Sequence, residues 1–230
     1  MDNIYILMIV ALAVLAIADL VVGVSNDAVN FLNSAIGSKA VSFKTIMIVA
    51  SLGVAFGALS SSGMMEVARK GIFMPSEFYF NEIMIIFMAV MITDILLLDF
   101  FNTLGMPTST TVSIVFELLG AAVVMSLIKI SASEAETISN LGQYINTAKA
   151  TEIILGILLS VVVAFSVGAF VQYSTRLLLT FNFEKKAKWV AALFGGIAAT
   201  AITYFILIKG LKGASFISGD FKSYIYENTF

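Results

Sequence analysis

Apolar residues run along this chain in long blocks, with no alternation of the kind a half-buried strand would show. The blocks Ile4–Val24, Val41–Val67, Glu82–Phe101, Ser109–Ile130, Thr151–Tyr173 and Trp189–Ile208 are each about as long as the ~20 helical residues that cross a ~30 Å hydrocarbon layer. They predict six transmembrane helices. Barrel strands would be shorter and would alternate apolar with polar positions. Between the first two blocks lies a polar, small-residue stretch from Ser25 to Lys39, too polar for lipid and too short for a folded loop. It reads as a broken or re-entrant helical segment, as does the polar opening of the fourth block. The connections Glu66–Asn81 and Ser131–Ala150 are rich in charged, Ser and Asn residues and read as aqueous loops.

Composition strengthens this picture. Of 230 residues, 60% are hydrophobic and 12% charged, well below the roughly one-quarter charged fraction of soluble domains. The chain is therefore expected to be an all-α integral membrane protein, multi-pass, in a bacterial inner (plasma) membrane. A net charge of −2 without a basic stripe excludes nucleic acid as a partner class. There is no cysteine and no histidine, which removes disulfides, thiolate metal sites and the usual general base. No enzyme and no cofactor is expected. Lys185, Lys186 and Lys188 mark a cytoplasmic loop by the positive-inside rule.

Polar groups are costly in hydrocarbon, so the informative residues are those that break the apolar blocks. In Ser25-Asn26-Asp27-Ala28-Val29-Asn30, a helix places Asn26 and Asn30 on one face with Asp27 beside them and Asn33 or Ser34 one turn on. Amide and carboxylate oxygens at that spacing can replace the hydration shell of a small hard cation. Gly23 and Gly37 permit unwinding at either end. The bland reading is hydrogen bonding between spans. It explains lone asparagines but not Asp27 beside two amides.

The second cluster is Gly105-Met106-Pro107-Thr108-Ser109-Thr110-Thr111-Val112-Ser113. One or two of its hydroxyls serve as an ordinary helix cap. The four between Pro107 and Val112 exceed that need, and with the free N–H groups of a helix N-terminus they form a plausible oxyanion cradle. Glu117 lies within the same span, as a cation ligand, a proton carrier or a partner to a distant base. Asp19 and Asp94 are also intramembrane, and either serve the site or pair structurally. Asp99 and Asn102 read as residues at an interface near a helix end. Anion cradle and cation ligands in one chain point to cotransport.

At these clusters the sequence resembles the inorganic phosphate transporter family of phosphate permeases. That family's first hallmark, G-A-N-D-x-A-N-x-x-G-T-x-V-G-S, reads here from Val24 to Ser38, with Asn26, Asp27, Asn30, Gly37 and Ser38 matching. The second, P-x-S-T-T-H, reads Pro107-Thr108-Ser109-Thr110-Thr111-Val112, and Glu66–Ile72 looks like the helix ending E-T-I-R-K-G-I. Val112 stands in place of the histidine, and Asn33-Ser34 in place of Gly-Thr. The resemblance implies symport of inorganic phosphate with sodium, the proton being the other coupling ion. Its site residues carry over to Asn26, Asp27, Asn30, Ser109, Thr110 and Thr111. With Ser34 and Glu117 from the patterns above, phosphate is expected against Ser109, Thr110, Thr111, Asn30 and Ser34, and sodium against Asn26, Asp27, Asn30, Thr110 and Glu117. The family carries two inverted repeats, each with an N-D-x-x-N stretch, and this chain contains one. The expected organisation is one repeat of an inverted-repeat transporter, its motifs in residues 1–130, a polar loop over 131–150, two further spans in 151–208 and a tail over 209–230 that reads as cut. The site would be completed by a missing C-terminal repeat, a second copy as in a homodimer, or a partner chain; a non-transporting structural or regulatory subunit is the competing role.

Overall fold

The computed structural model describes residues 3–60, 71–133, 138–180 and 183–206, together with 218–219 and 223–224. Its long elements are all helical: α1 (Asn3–Ser38), α2 (Phe43–Ser60), α3 (Phe80–Leu104), α4 (Thr110–Ala132), the short α5 (Leu141–Tyr144), α6 (Thr147–Leu179) and α7 (Phe183–Phe205). Among the described residues the one β feature is an isolated antiparallel bridge between Phe73 and Ile145. Five helices (α1, α3, α4, α6 and α7) are long and apolar enough to cross a membrane; α2 is apolar but shorter over its described length. The second predicted span extends past the end of α2, and the remainder of it, with Glu66–Lys70 of the third motif, lies outside the described residues. So does most of the tail from Lys209.

The chain divides into two units whose boundaries fall inside α2 and α6. One holds α1, α3, α4 and the connections flanking α3 and α4. Here α1 and α3 run parallel: Tyr5 meets Phe80 edge-on at 5.7 Å, Gly23 lies against Leu98, and Asn26 bonds Asn102. Antiparallel to both, α4 brings Thr110 to Gly23 at one end and Lys129 to Glu82 at the other. The buried face of α3 is Met84, Ile86, Val90, Asp94 and Leu98; that of α4 is Ser113, Leu118, Ala122, Ser126 and Ile130. Ala122 and Ser126 are fully buried one turn apart, and small side chains there let the backbones approach. Ser126 Oγ turns back on the Ala122 carbonyl at 2.7 Å, so its hydroxyl is satisfied without a partner helix. The other unit holds most of α6 and α7. Along these helices Phe165, Phe170 and Trp189 are exposed, surfaces suited to lipid or other helices.

The polar stretch after Val24 neither breaks nor re-enters: α1 continues unbroken for 36 residues. It contains no proline, and Ser25, Asn26 and Asp27 find partners while the helix keeps its own ladder. Ser25 Oγ donates to the Val21 carbonyl at 2.8 Å, and Asn26 reaches across to α3. Lys39, at φ 53°, ends the helix. The stretch from Gly105 to Ser109 is a turn between two separate spans, α3 and α4. Gly105 adopts φ 68°, a left-handed conformation that favours glycine, and Met106 N donates to the Phe101 carbonyl at 3.0 Å to close the helix end.

The two connections read as aqueous loops pack on each other. Met74 N donates to the Tyr144 carbonyl at 2.8 Å, and Asn146 N to that of Ile72 at 3.0 Å. Ile72, Phe73, Phe78, Tyr144 and Ile145 are buried between them, with Phe78 edge-on to both Phe73 and Tyr144 at 5.5 Å. Lys129 closes this cluster. Its Nζ lies 2.9 Å from Glu82 Oε2, donates to the Glu77 carbonyl at 2.9 Å, and sits 4.6 Å from the centre of the Tyr79 ring. Glu82 in turn accepts from the Tyr79 N–H at 2.7 Å, capping α3.

Candidate functional site

The candidate site forms where α1 passes the turn between α3 and α4. Asn26 is its buried centre, 1% exposed. Its Nδ2 donates to Asn102 Oδ1 at 2.7 Å, and its Oδ1 accepts from the Thr108 backbone N–H at 3.0 Å. Asn102 Nδ2 returns to the Val22 carbonyl at 3.4 Å. One amide thus ties α1 to the last turn of α3 and to the strand-like approach of α4, satisfying polar groups that could find no water there.

Asp27, the next residue, faces the start of α4. Thr110 Oγ1 donates to its two carboxylate oxygens at 3.2 and 3.5 Å. The positive end of the α4 dipole and the N–H groups of its first turn lie on the same side, favouring a negative charge. Among the described residues no Lys or Arg bonds Asp27, and dipoles and a hydroxyl face its charge. Such a carboxylate can accept a small cation without first losing an ion pair.

Of the predicted residues, the structure brings together Asn26, Asp27 and Thr110. Ser109 acts as the cap of α4, accepting from the Val112 N–H at 3.4 Å, the ordinary role that its position allowed. Thr111 is exposed at the same helix start, and Asn30 and Ser34 are exposed on α1. Among the described residues none of the three bonds Asn26. Glu117 lies two turns from Thr110 along α4, where it accepts from Ser113 Oγ at 2.7 Å and stands near Asp94 and Asp19. Asp19, Asp27, Asp94 and Thr110 border one cleft of about 290 Å³.

Asn102, whose place near a helix end marks it as an interface residue, is a full participant in the site. Its signal was its place in the last turn before Gly105, where a side chain reaches a neighbouring helix at the level of the turn. Gly23 proved to be a packing residue: a Cβ there would stand 3.7 Å from Leu98 Cδ1 and from Thr110 Cγ2, an ordinary contact.

A model of the phosphate transporter family matches residues 23–225. A Pyrococcus furiosus protein named putative phosphate permease is 28% identical over 202 residues, covering 86% of this chain and 46% of that protein. A protein of the same description from Thermococcus kodakarensis is 27% identical over 203 residues, covering 85% of this chain and 46% of its own length. Both organisms are archaea, and the chain spans about half the length of these curated relatives. No solved structure matches it. The family match takes in the Asn26-Asp27 stretch, the Thr110 helix start and the spans beyond them, and the chain belongs to the phosphate transporter family.

Proposed function

We propose that this chain moves inorganic phosphate across a membrane by symport with a cation, sodium in the first instance. The observation that carries the reading is Asp27 set against the N-terminus of α4 with the Thr110 hydroxyl on its oxygens. Asp27 and Asn26 supply anionic and amide oxygens to the cation. The first turn of α4, with Ser109, Thr110 and Thr111, supplies hydroxyls and N–H groups to the phosphate. A cation on Asp27 would lower the repulsion that this carboxylate otherwise exerts on an anion at the same helix start, which makes each ion's binding favour the other's.

The site is shared with a further segment. Asn30, Ser34 and Thr111 are exposed beside it, and the two relatives are about twice as long as the matched region. A second repeat in the same protein, or a second copy of this chain, would supply the facing half. A structural subunit without transport needs no cation ligand and leaves Asp27 without a role.

Proteoliposomes holding the complete assembly are expected to accumulate phosphate in response to an inward sodium gradient. Asp27→Asn should remove the sodium dependence while the protein still folds. Uptake that is unchanged in Asp27→Asn overturns the cation assignment, and uptake absent under every cation gradient overturns the transport reading.

A further inference from the structure

Two turns from Asp27, on the inner face of the same unit, three acidic side chains from three helices meet: Asp19 of α1, Asp94 of α3 and Glu117 of α4. The carboxyl groups of Asp19 and Asp94 stand within hydrogen-bonding reach of each other, and Glu117 within reach of Asp94. Asp94 is 2% exposed. Asp19 Oδ1, Asp94 Oδ1 and Glu117 Oε2 are buried and have no hydrogen-bond donor among the described residues. Among the described residues the donor that faces the group is Ser113 Oγ, on Glu117 Oε1. The other charged groups on these helices lie further off. Asp27 is about 12 Å along α1, Asp99 is exposed on α3, and Lys129 is about 18 Å along α4 and already paired with Glu82.

Carboxylate oxygens only accept, so two that face each other in a buried site are satisfied when a hydrogen lies between them. Bare charges here would repel each other without water to screen them. The species that satisfies such oxygens is therefore a cation small enough to fit between a pair of them. Among the described residues no three acidic side chains converge closely enough to hold a metal ion. A proton needs only two oxygens in contact, the arrangement by which paired carboxyl groups share one.

We propose that Asp19, Asp94 and Glu117 form an intramembrane proton-binding site, with the proton held on Asp94 and shared with Asp19 or Glu117. Water in the cleft bordered by Asp19, Asp94 and Asp27 delivers the proton and takes it back. Binding itself stands apart from the transport reading; a role as a second coupled cation rests on it.

Infrared spectroscopy of the full protein in lipid at neutral pH reads the site directly. A protonated-carboxyl stretching band that shifts in heavy water is expected in the unaltered protein. It should weaken in Asp94→Asn and vanish in Asp94→Asn combined with Glu117→Gln, helicity being checked by circular dichroism. The absence of the band in the unaltered protein, or its persistence in the double variant, overturns the proposal. So does its loss when sodium replaces choline at fixed pH, which would mark a sodium site. Phosphate uptake plays no part in this readout, so a protein that transports nothing still decides it.

Discussion

Asn26 Nδ2 donates to Asn102 Oδ1 at 2.7 Å, joining residues 76 apart in sequence at the point where α1 meets the end of α3. Because Asn26 also accepts from the Thr108 N–H, this one side chain sets the distance between Asp27 and the start of α4. Replacing it leaves a buried amide and a backbone N–H without partners, at a cost of about 1–3 kcal/mol. Asn26→Ala and Asn102→Ala should each lower unfolding stability in detergent by that order. The double variant should lose less than the sum of the two, since they share one bond. Full additivity would show that the pair does not couple.

Thr110 touches Asp27 only through its hydroxyl, while its methyl group faces Gly23. Thr110→Ser keeps the donor and should retain sodium-dependent uptake. Thr110→Val keeps the shape, removes the donor, and should raise the sodium concentration for half-maximal uptake about tenfold, as for a lost bond to a charged group worth ~1.4 kcal/mol. Equal sodium dependence in the two variants would separate Thr110 from the cation.

Two glycines near the site should respond differently to alanine. Gly105 has φ 68° and open space around its Cβ position, so Gly105→Ala carries the backbone cost alone, about 1–2 kcal/mol. Gly23 is helical and its new methyl would meet neighbours at 3.7 Å, so Gly23→Ala should be neutral or slightly stabilising. Thermal unfolding of the two variants in one lipid mixture makes the comparison.

Lys129 and Glu82 are largely buried, with side-chain exposures of 19% and 15%. Lys129→Met strands the Glu82 carboxylate and removes the cation from three aromatic rings, and should cost about 2 kcal/mol. Glu82→Gln in the same background should recover part of that loss by removing the unpaired charge. No recovery would mean that the ring contacts and the Glu77 carbonyl carry the stability.

The spans were legible because the signal is local. A run of apolar residues long enough to cross a bilayer needs no knowledge of its neighbours, and α3, α4, α6 and α7 lie where their runs predicted, with ends shifted by a few residues. The motif residues were legible for a related reason: Asn26, Asp27 and Thr110 are too polar for lipid, which marks them wherever they sit. The unbroken course of α1 was not, because the partner that Asn26 finds, Asn102, comes from α3, 76 residues further on. The packing of the two connections was likewise hidden. Phe73 and Tyr144 look like isolated aromatics in polar segments until Lys129 and Glu82 bring the segments together.

Sequence alone determined that this chain inhabits a membrane and which polar residues must answer for being there. Tertiary structure decided which of them meet. It joined Asn26 to Asn102, set Thr110 on Asp27, left Asn30 and Ser34 exposed, and drew Asp19, Asp94 and Glu117 into one group. Hydropathy is a property of each segment, whereas these pairings depend on the rotation and register of helices far apart in the chain.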